Sequence, residues 1–447
     1  MNKLLRGLGL VIIAISVLIA AMNSEVQAIP SFARQLEIAC NTCHTTFPEL
    51  TAFGRDFKAN GYTMSAGQQI KSGGTGEPIA LRIAEVPPFS AMLETAYSRT
   101  DRTIPGTQND YVQFPQQLSF FFAGSISPHM GVFMQITYDA ESGQFGWDNT
   151  DIRFARQMNL ASKNMVYGLT LNNNPTVQDL WNSTPAWEFP YAAPDVAPAP
   201  AAGTMIEGGL AQQVAGVGAY TFWNDMVYLE GDVYRSAPQG APIPPNIFSE
   251  STIKHVAPYW RLALQRQMMA DNYIEIGTYG MYAQLYPEGL YTPTDKFTDV
   301  GFDLQFERSL GRDLLMAHST FISEKQKLDA TLASGGSDNA SNSLRTFRLD
   351  AMYHLRGWAE FAVAYFSTMG DKDAGLYGPS PIDGSRTGSP DSNGEIFQLQ
   401  IMPWLNTQLL LQYTIYNKFN GATDNYDGFD RKASDNNTLY ALLWVAF

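Results

Sequence analysis

Short and long connections alternate along most of this chain of 447 residues, and that alternation limits the fold more than any other feature. Tight turns fall at "SPHMG", "NLASKN", "FWND", "MADN", "LGRD", "LRG" and "WLN". Between them lie longer polar stretches: "RTDRTIPGTQND", "ESGQFGWDN", a very long one from Asn172 to Gly209, "SAPQGAPIPPNIFSEST", "YPEGLYTPTD", "KQKLDATLASGGSDNAS", "DKDAGLYGPSPIDGSRTGSPDS" and "NGATDNYDGFDRKASDN". The segments they join run to roughly 10–14 residues and alternate apolar with polar, the period of strands with two different faces. In "GVFMQITYD", Val132, Met134, Ile136 and Tyr138 share one face, opposite Gln135, Thr137 and Asp139. In "LRTFRLDAMYHLR", Phe347, Leu349, Ala351 and Tyr353 oppose Arg348, Asp350, Met352 and His354. In "TQLLLQYTIYN", Leu409, Leu411, Tyr413 and Ile415 oppose Gln408, Gln412 and Thr414.

A soluble β-sandwich has no reason to sort its connections by length. A transmembrane barrel does, with tight turns on one rim and long loops on the other. Seven tight turns and eight long connections predict an all-β fold over residues 81–447. The expected architecture is an antiparallel transmembrane β-barrel of about 16 strands, in the bacterial outer membrane, with N- and C-termini periplasmic. The closing "TLYALLWVAF" fits: Leu439, Ala441, Leu443, Val445 and Phe447 alternate up to a terminal aromatic. The Pro- and Ala-rich stretch from Asn172 to Gly209 is too long for a simple connector. Its sequence leaves two possibilities open, a constriction folded into the lumen or a loose external loop.

Residues 1–28 read as a signal peptide. Lys3 and Arg6 precede the apolar run Leu8 to Ala21, and Val26-Gln27-Ala28 supplies a small-residue cleavage site. No later apolar run is long enough for a spanning helix, as expected when strands do the spanning. The net charge of -14 argues against a nucleic-acid partner.

Between signal and barrel, residues 29–80 form a small head, ending in the loose stretch "SAGQQIKSGGTGEPIA". It holds both cysteines of the chain, in "IACNTCHTTFPEL". Cys40, Cys43 and the adjacent His44 have the spacing at which two thiolates add to haem vinyl groups while the next His ligates iron. A closed zinc site needs four protein ligands, and no partner cysteines exist. A thioredoxin-like motif needs a βαβ setting that is missing. The expectation is therefore a helical c-type head with one covalently bound haem c and His44 as proximal ligand. The sixth ligand is open: Met64 in "NGYTMSAG", a Met or one of His129, His255, His318 and His354 from the barrel, or an open position. Phe47, Phe53, Phe57 and Tyr62 are expected around the haem, with Arg34, Arg55 and Lys58 as candidate partners for its propionates. A head this small needs support, and a barrel of ~16 strands encloses room for it. It is expected in, or capping, the periplasmic end of the lumen.

The stretch "IPSFARQLEIACNTCHTTFPELTAFGRDFKANGY" resembles the N-terminal signature of the outer-membrane monohaem cytochrome–porin fusions of iron-oxidising bacteria. The matching features are Pro30, Phe32-Ala33-Arg34-Gln35, the haem motif, Pro48, Leu50, Phe53-Gly54-Arg55, Phe57-Lys58 and Gly61-Tyr62. Beyond these residues, the likeness is one of architecture. The resemblance implies that dissolved Fe(II) at the cell surface gives electrons, through the haem, to a periplasmic cytochrome or other carrier. The expected partners are thus Fe(II), that carrier and outer-membrane lipid. As an enzyme, the chain would be an Fe(II) oxidase. A conduit for another donor or acceptor, and a transport porin with a haem-bearing plug, are the alternatives. Asp139, Asp151, Arg153, Asp303, Glu307, Arg348, Asp350 and Glu360 are expected on the lumen face, where carboxylates would offer hard oxygen contacts to iron.

Overall fold

The computed structural model describes residues 30–63, 87–105, 109–139, 143–236, 242–243, 247–248, 251–269, 271–287 and 293–447. The predicted signal peptide, Met64 and the predicted linker lie outside the described residues.

Sixteen long strands form one closed antiparallel sheet. They are β1 (Phe89–Thr100), β2 (Tyr111–Ser127), β3 (Met130–Asp139), β4 (Gln144–Leu160), β5 (Lys163–Asn172), β6 (Val214–Trp223), β7 (Val227–Ser236) and β8 (Ala257–Gln267), then β9 (Asn272–Pro287), β10 (Asp295–Leu310), β11 (Asp313–Lys327), β12 (Ser341–Leu355), β13 (Ala359–Gly370), β14 (Ser392–Trp404), β15 (Thr407–Lys418) and β16 (Thr438–Ala446). Each pairs with the next, and β1 closes on β16 from Met92↔Ala446 to Thr100↔Thr438. Closure removes the free edges that an open sheet would leave unpaired.

All seven expected tight turns join consecutive strands. Leu160 pairs with Lys163 across Ala161-Ser162, and Leu310 with Asp313 across Gly311-Arg312. Asn224 and Asp225 both have positive φ, as do Arg356 and Gly357, the backbone that tight hairpins demand. One long connection is shorter than expected. Gln144 already pairs with Asp139, so "ESGQFGWDN" is mostly strand. Its aromatics, Phe145 and Trp147, favour the sheet over the Gly and Asn around them.

The alternation read from sequence is the inside–outside alternation of the wall. Asp151, Arg153, Arg261, Asp303, Asp350 and Glu360 are buried inward. Leu169, Leu171, Val217, Leu229, Leu264, Ile276, Phe302, Leu349, Phe361 and Phe397 are exposed outward. Charges inside and an aliphatic and aromatic belt outside are the construction of an outer-membrane β-barrel.

The long connection after β5 folds into the lumen, which decides between the two possibilities left open above. Val177, Leu180, Trp181 and Phe189 are buried there. Its polar groups bond to strands around the whole wall. Gln178 donates to the Tyr234 hydroxyl at 2.8 Å, Trp181 Nε1 to the Tyr273 hydroxyl at 2.7 Å, and Gln116 to the Ala193 carbonyl at 2.9 Å. Thr320 donates to the Ser183 carbonyl at 2.6 Å, and Arg348 pairs with Glu188 at 2.8 Å. The strongest tie is Arg261, fully buried among Asp303 (2.7 Å), Asp179 of the loop (3.2 Å) and Glu275 (3.4 Å). A buried guanidinium needs such partners, because an unpaired one would forfeit its hydration for nothing.

Candidate haem-attachment site

The N-terminal segment enters the lumen from the tight-turn rim. It consists of two short helices, α1 (Pro30–Leu36) and α2 (Ala52–Ala59), and a single 3-10 turn at Cys40–Thr42. This is less than an independent helical domain, and its packing is largely against the wall. Ser31 and Gln35 donate to the Ala123 carbonyl near the β2–β3 turn. Tyr62 donates to Asp151 at 2.7 Å, and Tyr220 to the Ala59 carbonyl at 2.7 Å. Phe57 and Tyr62 join one apolar cluster with Met92, Phe121, Phe133, Leu442 and Trp444. From the opposite side the inward loop covers the segment. Asn182 accepts from the Leu50 amide at 3.0 Å, and Lys58 donates to the Val177 and Asp179 carbonyls at 2.8 and 2.7 Å.

Thr51 caps α2 by accepting the Gly54 amide and donates to the Thr42 carbonyl, so helix and motif are tied at one residue. Glycine at 54 is required by closeness, since α2 lies directly on the motif backbone at Cys43. The motif turns tightly, with the Cys43 and His44 amides both donating to the Cys40 carbonyl at 3.0 Å.

Cys40, Cys43 and His44 line one cavity. Its walls are mostly apolar: Phe32, Phe47, Leu50, Phe57, Tyr62 and Trp187 among them. The donor set is also the right kind. His44 Nδ1 sits 3.2 Å from the Pro48 carbonyl oxygen. A carbonyl only accepts, so Nδ1 carries the proton and Nε2 keeps its lone pair for a metal. Burial pulls the His44 pKa down to about 4, so the imidazole is neutral at neutral pH. Burial and the nearby Cys40 push the Cys43 pKa up to about 12, so its thiol is protonated at neutral pH. The residues present therefore fit a flat, apolar macrocycle bonded at Cys40 and Cys43 and ligated by His44.

Several expected partners are elsewhere. Arg55 pairs with Glu307 of β10 and donates to the Leu50 carbonyl. Arg34 donates to the Phe89 carbonyl. Of the three candidate propionate partners, Lys58 alone lines the cavity, with its ammonium 5.0 Å from the Trp187 ring. Among the described residues, no second histidine and no methionine line it. His129 packs on Phe154 at the β2–β3 turn, and His255 is exposed at the long-loop side. His318 and His354 point into the lumen but gather on Glu49 instead. That grouping was missed in sequence, where Glu49 was only the residue after Pro48.

No model of a known protein family matches the chain, and no curated protein sequence matches it. Among solved structures it is similar to OmpT, an outer membrane protein of Vibrio cholerae, at 9% identity and a TM-score of 0.42, over 80% of this chain and 96% of that one. It is also similar to OmpF of Salmonella typhi in complex with daunomycin (11%, TM-score 0.43, 80% and 97%). A third is the outer membrane channel DcaP of Acinetobacter baumannii (10%, TM-score 0.46, 80% and 96%).

Proposed function

We propose that the chain is an outer-membrane c-type cytochrome–porin that takes electrons from extracellular Fe(II) and delivers them to a periplasmic carrier. One observation carries the proposal: Cys40, Cys43 and a neutral, oriented His44 share an apolar cavity inside the lumen of a transmembrane barrel. A haem bonded there supplies one-electron redox chemistry. The chain's own residues do the rest. Pro48 fixes the His44 ring, and Phe32, Phe47, Phe57 and Trp187 keep water from the cavity walls. The head and inward loop both fill part of the lumen, which favours an electron conduit over a solute porin. On this reading the tight-turn rim, with the head, faces the periplasm, and Fe(II) arrives from the long-loop side.

Rapid mixing of purified, oxidised protein with Fe(II) near neutral pH tests the proposal. The expected result is stoichiometric haem reduction. No change in the haem spectrum would leave the barrel and attachment site intact but remove iron as the donor.

A further inference from the structure

Beside the haem-attachment cavity lies a second cluster, built from both the N-terminal segment and the wall. Glu49 of the segment meets His354 of β12 and Glu360 of β13, with one donor atom from each within 4.8 Å of the others. His354 Nε2 lies 3.1 Å from Glu49 Oε2, and its Nδ1 lies 3.5 Å from Glu360 Oε2. His318 of β11 flanks the group, 3.7 Å from Glu49 Oε1 and 2.8 Å from Asp350 Oδ2. We propose that Glu49, His354 and Glu360 bind a divalent first-row transition-metal ion, at a site separate from the haem iron.

Three observations converge. The first is charge. Three buried carboxyl groups, Glu49, Asp350 and Glu360, face two imidazoles, so with every carboxyl ionised even two imidazolium ions leave one negative charge for a proton or a metal ion to neutralise. Among the described residues no Lys or Arg forms an ion pair with any of the three. Buried charge of one sign needs a counterion or a metal. The second is unmet bonding. His354 Nε2, His318 Nε2 and Glu360 Oε2 are buried and meet a neighbour only in ion-pair contacts of 3.1, 3.7 and 3.5 Å, without hydrogen-bond geometry. The third is that the remaining atoms are already held. Gln398 donates to Glu360 Oε1 at 3.2 Å, which leaves Oε2 free to turn inward. The Tyr191 hydroxyl of the inward loop donates to Glu49 Oε1 at 3.4 Å.

The donor chemistry selects the ion class. An imidazole nitrogen with carboxylate oxygens suits Fe(II), Co(II), Mn(II) or Zn(II) better than the all-oxygen preference of Ca(II) and Mg(II). Bonds of about 2.0–2.2 Å hold neighbouring donors roughly 3–4 Å apart, close to the 3.1 Å between His354 Nε2 and Glu49 Oε2, and Glu360 offers a carboxylate oxygen within 4.8 Å of the other two ligand atoms. Glu49 directly follows Pro48, the residue whose carbonyl orients His44. An ion bound here is thus one residue away from the haem ligand's support. Naming that ion as Fe(II) rests on the electron-transfer proposal above; binding of a divalent ion does not.

Equilibrium dialysis of the detergent-solubilised, chelator-stripped full chain against Zn(II) and Co(II) tests the site. The expected result is one saturable ion beyond the haem iron. His354→Ala and Glu360→Gln should each weaken it roughly tenfold or more, while His129→Ala on the outer turn leaves it unchanged. Heat-modifiability on gels confirms that each variant is a closed barrel, and Glu360→Gln keeps the side-chain shape if His354→Ala fails to fold. No saturable ion in the native chain, or equal affinity in the native chain and both cluster variants, overturns the site. Haem reduction by Fe(II) is read separately. Its failure with metal binding retained removes the electron donor and keeps the site.

Discussion

A methyl group on Gly54 would sit 2.2 Å from the Cys43 carbonyl oxygen. Helix α2 therefore rests on the attachment motif with no room for a side chain. The same Cβ would also meet Leu50 Cδ2 at 3.1 Å, so a second neighbour crowds the position. Gly54→Ala should push α2 off the motif, an overpacking that costs about 1–3 kcal/mol. The expected outcome is a several-fold lower haem content per folded barrel, measured as haem absorbance against protein in the outer-membrane fraction.

Cys40 and Cys43 should be needed for haem and dispensable for the wall. The strands pair through their own ladders, and both cysteines lie in the N-terminal segment, outside the strands. The double variant Cys40→Ser, Cys43→Ser should run as a heat-modifiable barrel yet lose the haem stain that stays with the denatured native chain. Haem stain persisting on the denatured double variant would sink covalent attachment at these residues.

Arg261 holds the inward loop to the wall. Arg261→Met strands Asp179, Glu275 and Asp303 without their cation, and breaking such a buried group costs about 3–5 kcal/mol. The loop has most to lose, because Asp179 is its tie to β8. Single-channel conductance in planar bilayers should rise from near closure in the native protein to a measurable open level in the variant. An unchanged trace would mean that the head alone seals the lumen.

Asp373, in the connection after β13, receives bonds from the Ser337 hydroxyl, the Asn342 amide and the backbone amides of Asp338, Asn339, Gly375 and Leu376. Burial alone would raise its pKa, but these bonds to the charged form hold it well below the usual carboxylate range. A carboxyl depressed on folding stabilises at pH values above its unfolded pKa of about 3.9, and that contribution is lost as pH falls through the folded value. The two connections it joins, 328–340 and 371–391, should resist protease at neutral pH and open progressively below about pH 4. Asp373→Asn should open them even at neutral pH. Limited proteolysis, with pepsin at the acid end, reads both effects, and equal protection of native and variant chains at neutral pH would contradict the assignment.

Much of the wall was legible because each strand carries its own instructions. Arg348, Asp350, Met352 and His354 alternate with Phe347, Leu349, Ala351 and Tyr353, and that local pattern is sufficient to decide which side faces water. The tight turns were legible for the same reason, since Asn224-Asp225 and Arg356-Gly357 hold their backbone with few partners. What could not be read depends on pairs far apart in the chain. Arg55 looked like a propionate partner, yet it meets Glu307, 252 residues away. The Pro- and Ala-rich loop had no local reason to fold inward, and Asp179 finds Arg261 only once eight strands have curved around it. Glu49, His318 and His354 share no motif at all. Only the closing of β11 to β13 over the N-terminal segment brings them together.

The segment that carries the cysteines also lies across the join between the first strand and the last. Phe47 packs on Trp444 of β16 with ring centroids 5.7 Å apart and planes tilted by 34°, and its apolar cluster takes in Met92 and Ala96 of β1 as well as Leu442 and Ala446 of β16. Ala91 and Phe447 exchange backbone bonds at 2.8 and 2.9 Å at the end of that same join. A barrel opens sideways most readily where its two chain ends meet, and here that gate has a bolt drawn across its inner face. Anything that dislodges the N-terminal segment would loosen the wall where its first strand meets its last, so the segment doubles as the latch of its own container.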